Sequence, residues 1–197
     1  MTNTSSATTS PVDQPARVFE HRRVLTLSRE TFFAAARLVA AAVIDRDGPP
    51  TAVIGIAHGG LPLAEVIAAT LSIPLGHVEA RHNATDDLYE QATGTVDHSG
   101  EPLAARLAGR TLDGTVLLVD DICGTGATLD AILPDLAPHL ASGAVVRTAV
   151  LCRNAGARYQ PDLWVWTVDD WVHFPWETTL PDDQATEPLT LPHEVQP

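Results

Sequence analysis

Basic residues are scarce. The 197-residue chain carries 12 Lys and Arg against 25 Asp and Glu, for a formal net charge of −13 at pH 7. No cationic cluster stands ready to neutralise a phosphate backbone, so a nucleic-acid partner is not expected. A polyanionic ligand would have to be received by backbone amides, a few isolated cations or a bound metal ion. Cysteine is scarcer still. Cys123 and Cys152 make no disulfide framework, which points to a reducing, cytoplasmic setting. Long apolar runs are missing too: nothing is long enough to span a bilayer, and no signal-peptide core stands near the start, so no membrane partner is expected. What remains is 45% hydrophobic with a mean hydropathy of +0.04, enough for one domain with a sizeable core.

Residues 1–16 are rich in Thr, Ser and Pro and are expected to form a disordered tail ahead of a domain over 17–177. A strand is expected near Val18 to Leu27. Ser28 then caps a helix in which Phe32, Phe33, Ala36, Val39 and Val43 follow helical spacing, until Asp47-Gly48-Pro49-Pro50 stops it. Further apolar runs predict strands over Thr51–Ala57, Ile73–Ala80, Ala144–Cys152 and Leu163–Val168, with a helix over Leu61–Leu71. Residues 178–197 are acidic and Pro-rich and read as a loose tail. No internal repeat is present.

The most informative stretch is residues 116–129, VLLVDDICGTGATL. The apolar run Val116–Val119 reads as a buried parallel strand ending in Asp120 and Asp121, followed by a turn with Gly124 and Gly126 and then a helix over Ala127–Leu140. Pro134 and Pro138 give that helix an irregular end. Ligands of open α/β sheets bind at such carboxyl strand ends. The amides from Cys123 to Thr128, freed by two glycines at a helix N-terminus, would form a concave set of donors for a phosphate, with the Thr125 and Thr128 hydroxyls adding to it. The aspartates would repel that phosphate and suit hydroxyls or a magnesium ion instead. Ala127 stands where a Walker A loop needs Lys, and Leu129 where a dinucleotide fingerprint needs its third Gly.

This segment resembles the phosphoribosyl-diphosphate (PRPP) motif of the type I phosphoribosyltransferases. The resemblance implies that Asp120 and Asp121 contact the ribose hydroxyls, while Cys123, Gly124, Thr125, Gly126, Ala127 and Thr128 hold the 5′-phosphate. It also implies a pyrophosphate loop at Ala57, His58, Gly59 and Gly60, with His58 in place of the usual Arg, which introduces a pH dependence. The long polar segment 80–100, with Arg81, His82 and Tyr89, matches the place of a closing loop that would keep water from the ribose centre. Arg153 stands where the family commonly has a base-contacting Lys. DDWVHFPWE, residues 169–177, resembles the purine-binding segment of the xanthine/guanine/hypoxanthine branch: Trp171 would stack on the base, Val172 would read its edge through the backbone, and Glu177 would contact magnesium-bound pyrophosphate. Trp164, Trp166 and Trp176 are assigned to packing.

The expected fold is therefore α/β, a mostly parallel sheet flanked by helices with a small C-terminal hood. The expected activity is transfer of ribose 5-phosphate from PRPP to a purine-like base, with Mg2+ as cofactor (Asp120, Asp121 and Glu177 as metal-side residues), His58, Asp120, Asp121 and Arg153 as catalytic candidates, and a homodimeric assembly. One departure matters. Most 6-oxopurine members carry Asp where this chain has Gly124. A 7-deazapurine acceptor, lacking the nitrogen that the aspartate serves, is one alternative, and a non-catalytic PRPP or purine sensor is another.

Overall fold

The structure is a computed structural model that describes residues 16–81, 91, 96–181 and 184–197. Its centre is a six-stranded sheet. In chain order the elements are β1 (Val24–Thr26), α1 (Arg29–Asp47), β2 (Ala52–Ala57), α2 (Leu61–Leu71), β3 (Leu75–Arg81), β4 (Asp97–Ser99), α3 (Glu101–Leu107), β5 (Thr115–Cys123), α4 (Ala127–Leu136), β6 (Val145–Asn154), β7 (Leu163–Val168), β8 (Trp171–His173) and β9 (Thr186–Pro188). A 3-10 turn, Ala137–His139, follows α4. The main sheet runs β4-β3-β2-β5-β6-β7, parallel except for the antiparallel edge strand β4.

Burial on both faces explains why β2 and the first half of β5 are unbroken apolar runs. One face packs Val53, Leu117, Val119 and Leu151 against α1 and α2, through residues such as Val39, Leu63 and Ile67. The other packs Ile54, Ile56, Val116 and Leu118 against Leu103 of α3 and Leu129, Ile132 and Leu136 of α4. Ser28 caps α1, its side chain accepting from Thr31 N at 3.0 Å.

From the central pair β2 and β5, the chain leaves in opposite directions: β2 leads through α2 to β3 on one side, and β5 leads through α4 to β6 on the other. That reversal opens a crevice at the carboxyl ends of β2 and β5. A second, three-stranded parallel sheet, β8-β1-β9, caps the crevice and forms the hood.

Several expectations need correction. The strand bearing the aspartates continues through them to Cys123, because the ten-residue β6 pairs it past Val119: Asp120 faces Val150, Ile122 faces Cys152 and Cys123 faces Arg153. The strand expected from Val18 shrinks to Val24–Thr26. Backbone donors upstream go elsewhere: Val18 N to the Asn154 side chain, Glu20 N to Asp169 O, and His21 N and Arg22 N to the Asp170 carboxylate. The polar segment after β3 ends in structure, with β4 paired to β3 and α3 following; His82 and Tyr89 lie outside the described residues. The tail expected to be loose supplies β9, and Gln196 bridges Trp164 by two backbone hydrogen bonds. No helix among the described residues is long and apolar enough to cross a membrane.

Leu118 is fully buried in the second face. Leu118→Ala should cost about 2–5 kcal/mol, read as a lower urea midpoint at unchanged slope; a shift below 1 kcal/mol would contradict the packing described.

Candidate functional site

The crevice is walled on one side by the turn after β2 and on the other by the last residues of β5. The Ala57–His58 peptide is cis. Gly60 opens α2, and its amide donates to Ile56 O at 2.8 Å. A Cβ on Gly60 would sit 2.5 Å from Val119 O and 2.8 Å from Asp120 Cα, and one on Gly59 would sit 2.2 Å from Asp121 Oδ2. Gly60 is therefore required for close approach of backbone to backbone, while a side chain at Gly59 would displace the Asp121 carboxylate.

Successive residues of a strand point to opposite faces, and this separates the tandem acids. Asp121 lines a cavity of about 1160 Å³ together with Ala57, His58, Gly59, Trp171, Val172 and Glu177. Asp120 lines a small recess of about 20 Å³ with Cys123, Gly124, Thr125, Gly126 and Thr128. The Asp121 amide donates to Asp120 Oδ1 at 3.0 Å. Burial pushes the Asp121 carboxyl up from 3.8 to about 6. Burial, with the neighbouring Asp121 charge adding to it, raises Asp120 well above the ordinary carboxylate range.

The recess lies in a strand-to-helix loop, lined by Cys123 to Gly126 and Thr128. Gly126, at φ 99°, opens α4 with no side-chain cap, leaving the helix N-terminus to an incoming acceptor. The Thr125 hydroxyl accepts from Ala127 N at 3.3 Å, and Thr125 O accepts from Arg158 N at 3.2 Å. A Cβ on Gly126 would meet Tyr159 Cβ at 2.2 Å, so the turn at 157–159 backs the loop directly. Cys123 is buried beneath it and, chiefly through burial, its thiol is pushed up to about 12. A thiol in that range does not act as a nucleophile near neutral pH.

Across the cavity stands the hood. Trp171 and Val172 lie in β8, with Phe19 at 6.1 Å between ring centroids from Trp171. Glu177 is exposed at the rim, its carboxylate accepting from Phe174 N at 3.0 Å. Trp176 stacks on Phe174 and meets Phe32 edge-on, each at 5.1 Å. Trp166 donates to Thr190 O and Trp164 to Thr167 Oγ1.

Arg153 departs from its expected place. It donates to Ala157 O at 2.6 Å and Tyr159 O at 3.3 Å, and its guanidinium lies 5.6 Å from the Trp164 centroid. It braces the turn behind Gly126 and does not line the cavity. Sequence reasoning missed three other residues. Arg17 lines both the cavity and the recess. Asn154, 1% exposed, exchanges two hydrogen bonds with Val18. Asp170, also 1% exposed, accepts from His21 N, Arg22 N and Arg23 Nε. An Asn at a strand end and one of two tandem acids carry no local signal for such clamping.

Asp121 offers hard oxygen donors to the cavity and Asp120 to the recess, and a cation near either would offset the cost that burial places on its charge. Glu177 does not converge with them into a three-ligand set; among the described residues only Glu20, His21 and Asp169 do so, outside the cavity lining. One carboxylate facing the cavity, Asp121, fits magnesium, which retains water and ligand oxygens rather than entering an all-protein cage.

Fold and site together define an α/β protein with a glycine-rich recess and a cavity at the switch point of a parallel sheet. Comparison narrows that class. Residues 26–183 match the model of the phosphoribosyl transferase domain. Orotate phosphoribosyltransferase of Aeropyrum pernix is 30% identical over 106 residues, 54% of this chain; the chain spans about half of that relative, 47% of its length. Among solved structures, purine phosphoribosyltransferase from Pyrococcus horikoshii superposes with a TM-score of 0.62 at 23% identity, covering 82% of this chain and 98% of the other. The xanthine-guanine-hypoxanthine phosphoribosyltransferase of Helicobacter pylori gives 0.63 at 21% identity, with 79% and 93% covered. The chain belongs to the phosphoribosyltransferase family, and its fold is the type I fold expected from sequence.

Two predictions follow from the geometry. Gly60→Ala, which drives a methyl into the β5 backbone, should lower the thermal midpoint severely or abolish folding; retention of the wild-type midpoint would contradict that close contact. The second concerns Asp121. Below its ordinary value of 3.8 the carboxyl is protonated whether the chain is folded or not; between 3.8 and about 6 only the unfolded chain gives up its proton, so stability falls as pH rises through that window. In metal-free protein, Asp121→Asn should raise the thermal midpoint at pH 8 and leave it unchanged near pH 4. A gain of equal size at both pH values would rule out the burial of charge as its cause.

Proposed function

We propose that this protein transfers ribose 5-phosphate from PRPP to a purine-like base, releasing pyrophosphate. The observation that carries the reading is the convergence at one switch point of an amide-lined recess, an acidic pair and a glycine turn, facing an aromatic ring across a cavity large enough for both substrates. In this reading the amides of Cys123 to Thr128, together with the α4 N-terminus, hold the 5′-phosphate. Asp120 and Asp121 accept from the ribose hydroxyls. The turn Ala57–Gly60 receives pyrophosphate, His58 donating to it, and Trp171 stacks on the base while the Val172 backbone reads its edge.

The chemistry breaks the bond from C1 of the ribose to pyrophosphate, which departs with the electron pair. A ring nitrogen of the base forms the new bond to C1, and its proton passes to solvent. Magnesium, when bound with PRPP, would neutralise charge on the departing pyrophosphate. The chain's own part is positioning: it fixes the phosphate at one end and the base plane at the other, so that C1 lies between nucleophile and leaving group. The purine-like assignment is supported by the Trp171–Glu177 segment and by the purine enzymes that share the fold, and 7-deazapurine acceptors remain within it because Gly124 offers no side chain to a ring nitrogen.

Pyrophosphate release from PRPP should require both magnesium and a base, measured over xanthine, guanine, hypoxanthine, adenine, orotate and 7-deazapurines with a no-base control. Binding of magnesium and PRPP should also raise the thermal midpoint, as any ligand of the folded state does. That rise without release on any base would replace the enzyme reading with a sensor.

A further inference from the structure

The large cavity and the small recess share one wall residue of permanent positive charge. Among the described residues Arg17 is the one Lys or Arg that lines either of them, beside Asp121 in the cavity and beside Asp120 in the recess. An ideal Cβ on Gly124 would lie 2.5 Å from Arg17 Nε, 3.0 Å from Nη2 and 3.1 Å from Cζ, so the guanidinium fills the space that a side chain at residue 124 would take. Its Cζ lies 6.0 Å from the Trp171 ring centroid. The charge is thus held against the loop that follows the acidic pair.

The backbone behind that charge is fixed. Val18 N donates to Asn154 Oδ1 at 2.8 Å, Asn154 Nδ2 donates to Val18 O at 3.0 Å, and Gly156 N donates to the same Oδ1 at 2.9 Å. A Cβ on Gly156 would lie 2.2 Å from Ala16 O, so the segment is seated on that turn without space for a side chain. Gln91 holds the Arg17 backbone as well, accepting from its amide at 3.0 Å and donating to its carbonyl at 2.9 Å.

Burial raises the carboxyls of Asp120 and Asp121, and the Arg17 charge opposes that rise at each. The two acids therefore already have a cation of the chain's own beside them. Glu79, Asp97, Asp170 and Glu177 also line the cavity, so without Arg17 its Asp, Glu, Lys and Arg side chains would all be acidic. A free divalent ion approaching Asp121 is attracted by the acids and repelled by the guanidinium, and in a partly dry site that repulsion is only weakly screened. A magnesium ion carried on a diphosphate meets the opposite sign, because the complex keeps a net negative charge.

We infer that Arg17 is an internal counter-cation for the acidic pair, which keeps free magnesium from binding there and admits magnesium that arrives on a phosphorylated ligand. This rests on the magnesium part of the transferase reading above. The consequence is a pair of effects of opposite sign: neutralising residue 17 strengthens binding of the bare ion and weakens binding of its diphosphate complex. A residue that only seats the segment would change neither in that way.

The experiment uses no turnover. Thermal midpoints and calorimetric titrations at pH 8 compare magnesium chloride with magnesium pyrophosphate in wild type, Arg17→Met, Arg17→Gln, Arg17→Lys and the double variant Arg17→Met/Asp121→Asn, with circular dichroism to show each folded. Arg17→Met and Arg17→Gln should each bind free magnesium about 10-fold tighter and magnesium pyrophosphate more weakly than wild type. Arg17→Lys, which keeps the charge, should stay near wild type, and Asp121→Asn should cancel the gain of Arg17→Met. Unchanged or weaker binding of free magnesium in both neutral variants would overturn the inference, as would a gain that survives Asp121→Asn. Wild type is itself a test: a midpoint raised as much by free magnesium as by magnesium pyrophosphate would overturn the inference even if neither neutral variant folded. Pyrophosphate release by wild type, with magnesium affinity indifferent to residue 17, would overturn this inference alone and leave the transferase reading standing.

Discussion

The site depends on one contact that leaves no clearance. Gly59 and Gly60 lie against Val119, Asp120 and Asp121 so closely that a single methyl at either glycine would strike backbone or carboxylate. At Gly60 the spacing between the turn after β2 and the acidic end of β5 is thereby set by main chain, not by side chains that could swing. Close-packed main chain yields little, and groups held this way need no reordering when a ligand arrives, which is the condition under which electrostatic positioning is effective. The arrangement also forces two carboxylates into a buried place where each is held in its protonated form more strongly than in water.

The hood is tied on differently. Where the two faces of the main sheet are held by apolar burial, the approach to β1 is held by buried polar side chains. Asp170 gathers amides of His21 and Arg22 and the Arg23 guanidinium, and Asn154 gathers Val18 and Gly156. A hydrogen-bonded carboxylate with no solvent exposure makes its partners exacting: each donor lost leaves a buried acceptor short. These clamps fix the direction of a segment that has no helix or long strand of its own.

Much of the α/β order was legible, because β2, β5, β6 and β7 are buried runs bounded by glycine turns and α1 and α2 have plain starts and stops. The acidic pair and the glycine loop were legible for the same reason, since the loop's function and its turn chemistry use the same residues. The length of β5 was not. Aspartates normally argue against strand, and only the partner β6, which cannot be known locally, holds them in register. The β4–α3 stretch was hidden by polar composition, and β9 by prolines that an edge strand tolerates. Arg153 turned to satisfy carbonyls behind the loop, away from the place the resemblance implies, while Arg17 reached the cavity from a segment with no pattern at all.

The hood sheet places β1, near the start of the chain, between β8 and β9, near its end. Its ties are correspondingly remote, with Arg22 meeting Asp170 across 148 residues and Arg23 meeting Glu187 across 164. Closing such loops costs chain entropy before any contact repays it, and contacts of this range slow folding. During synthesis the main sheet can gather strand by strand, but β1 has no strand to pair with until β8 has left the ribosome. A chain cut short before β9 would keep β1 paired with β8 alone and turn the hood into a two-stranded sheet with β1 at its edge.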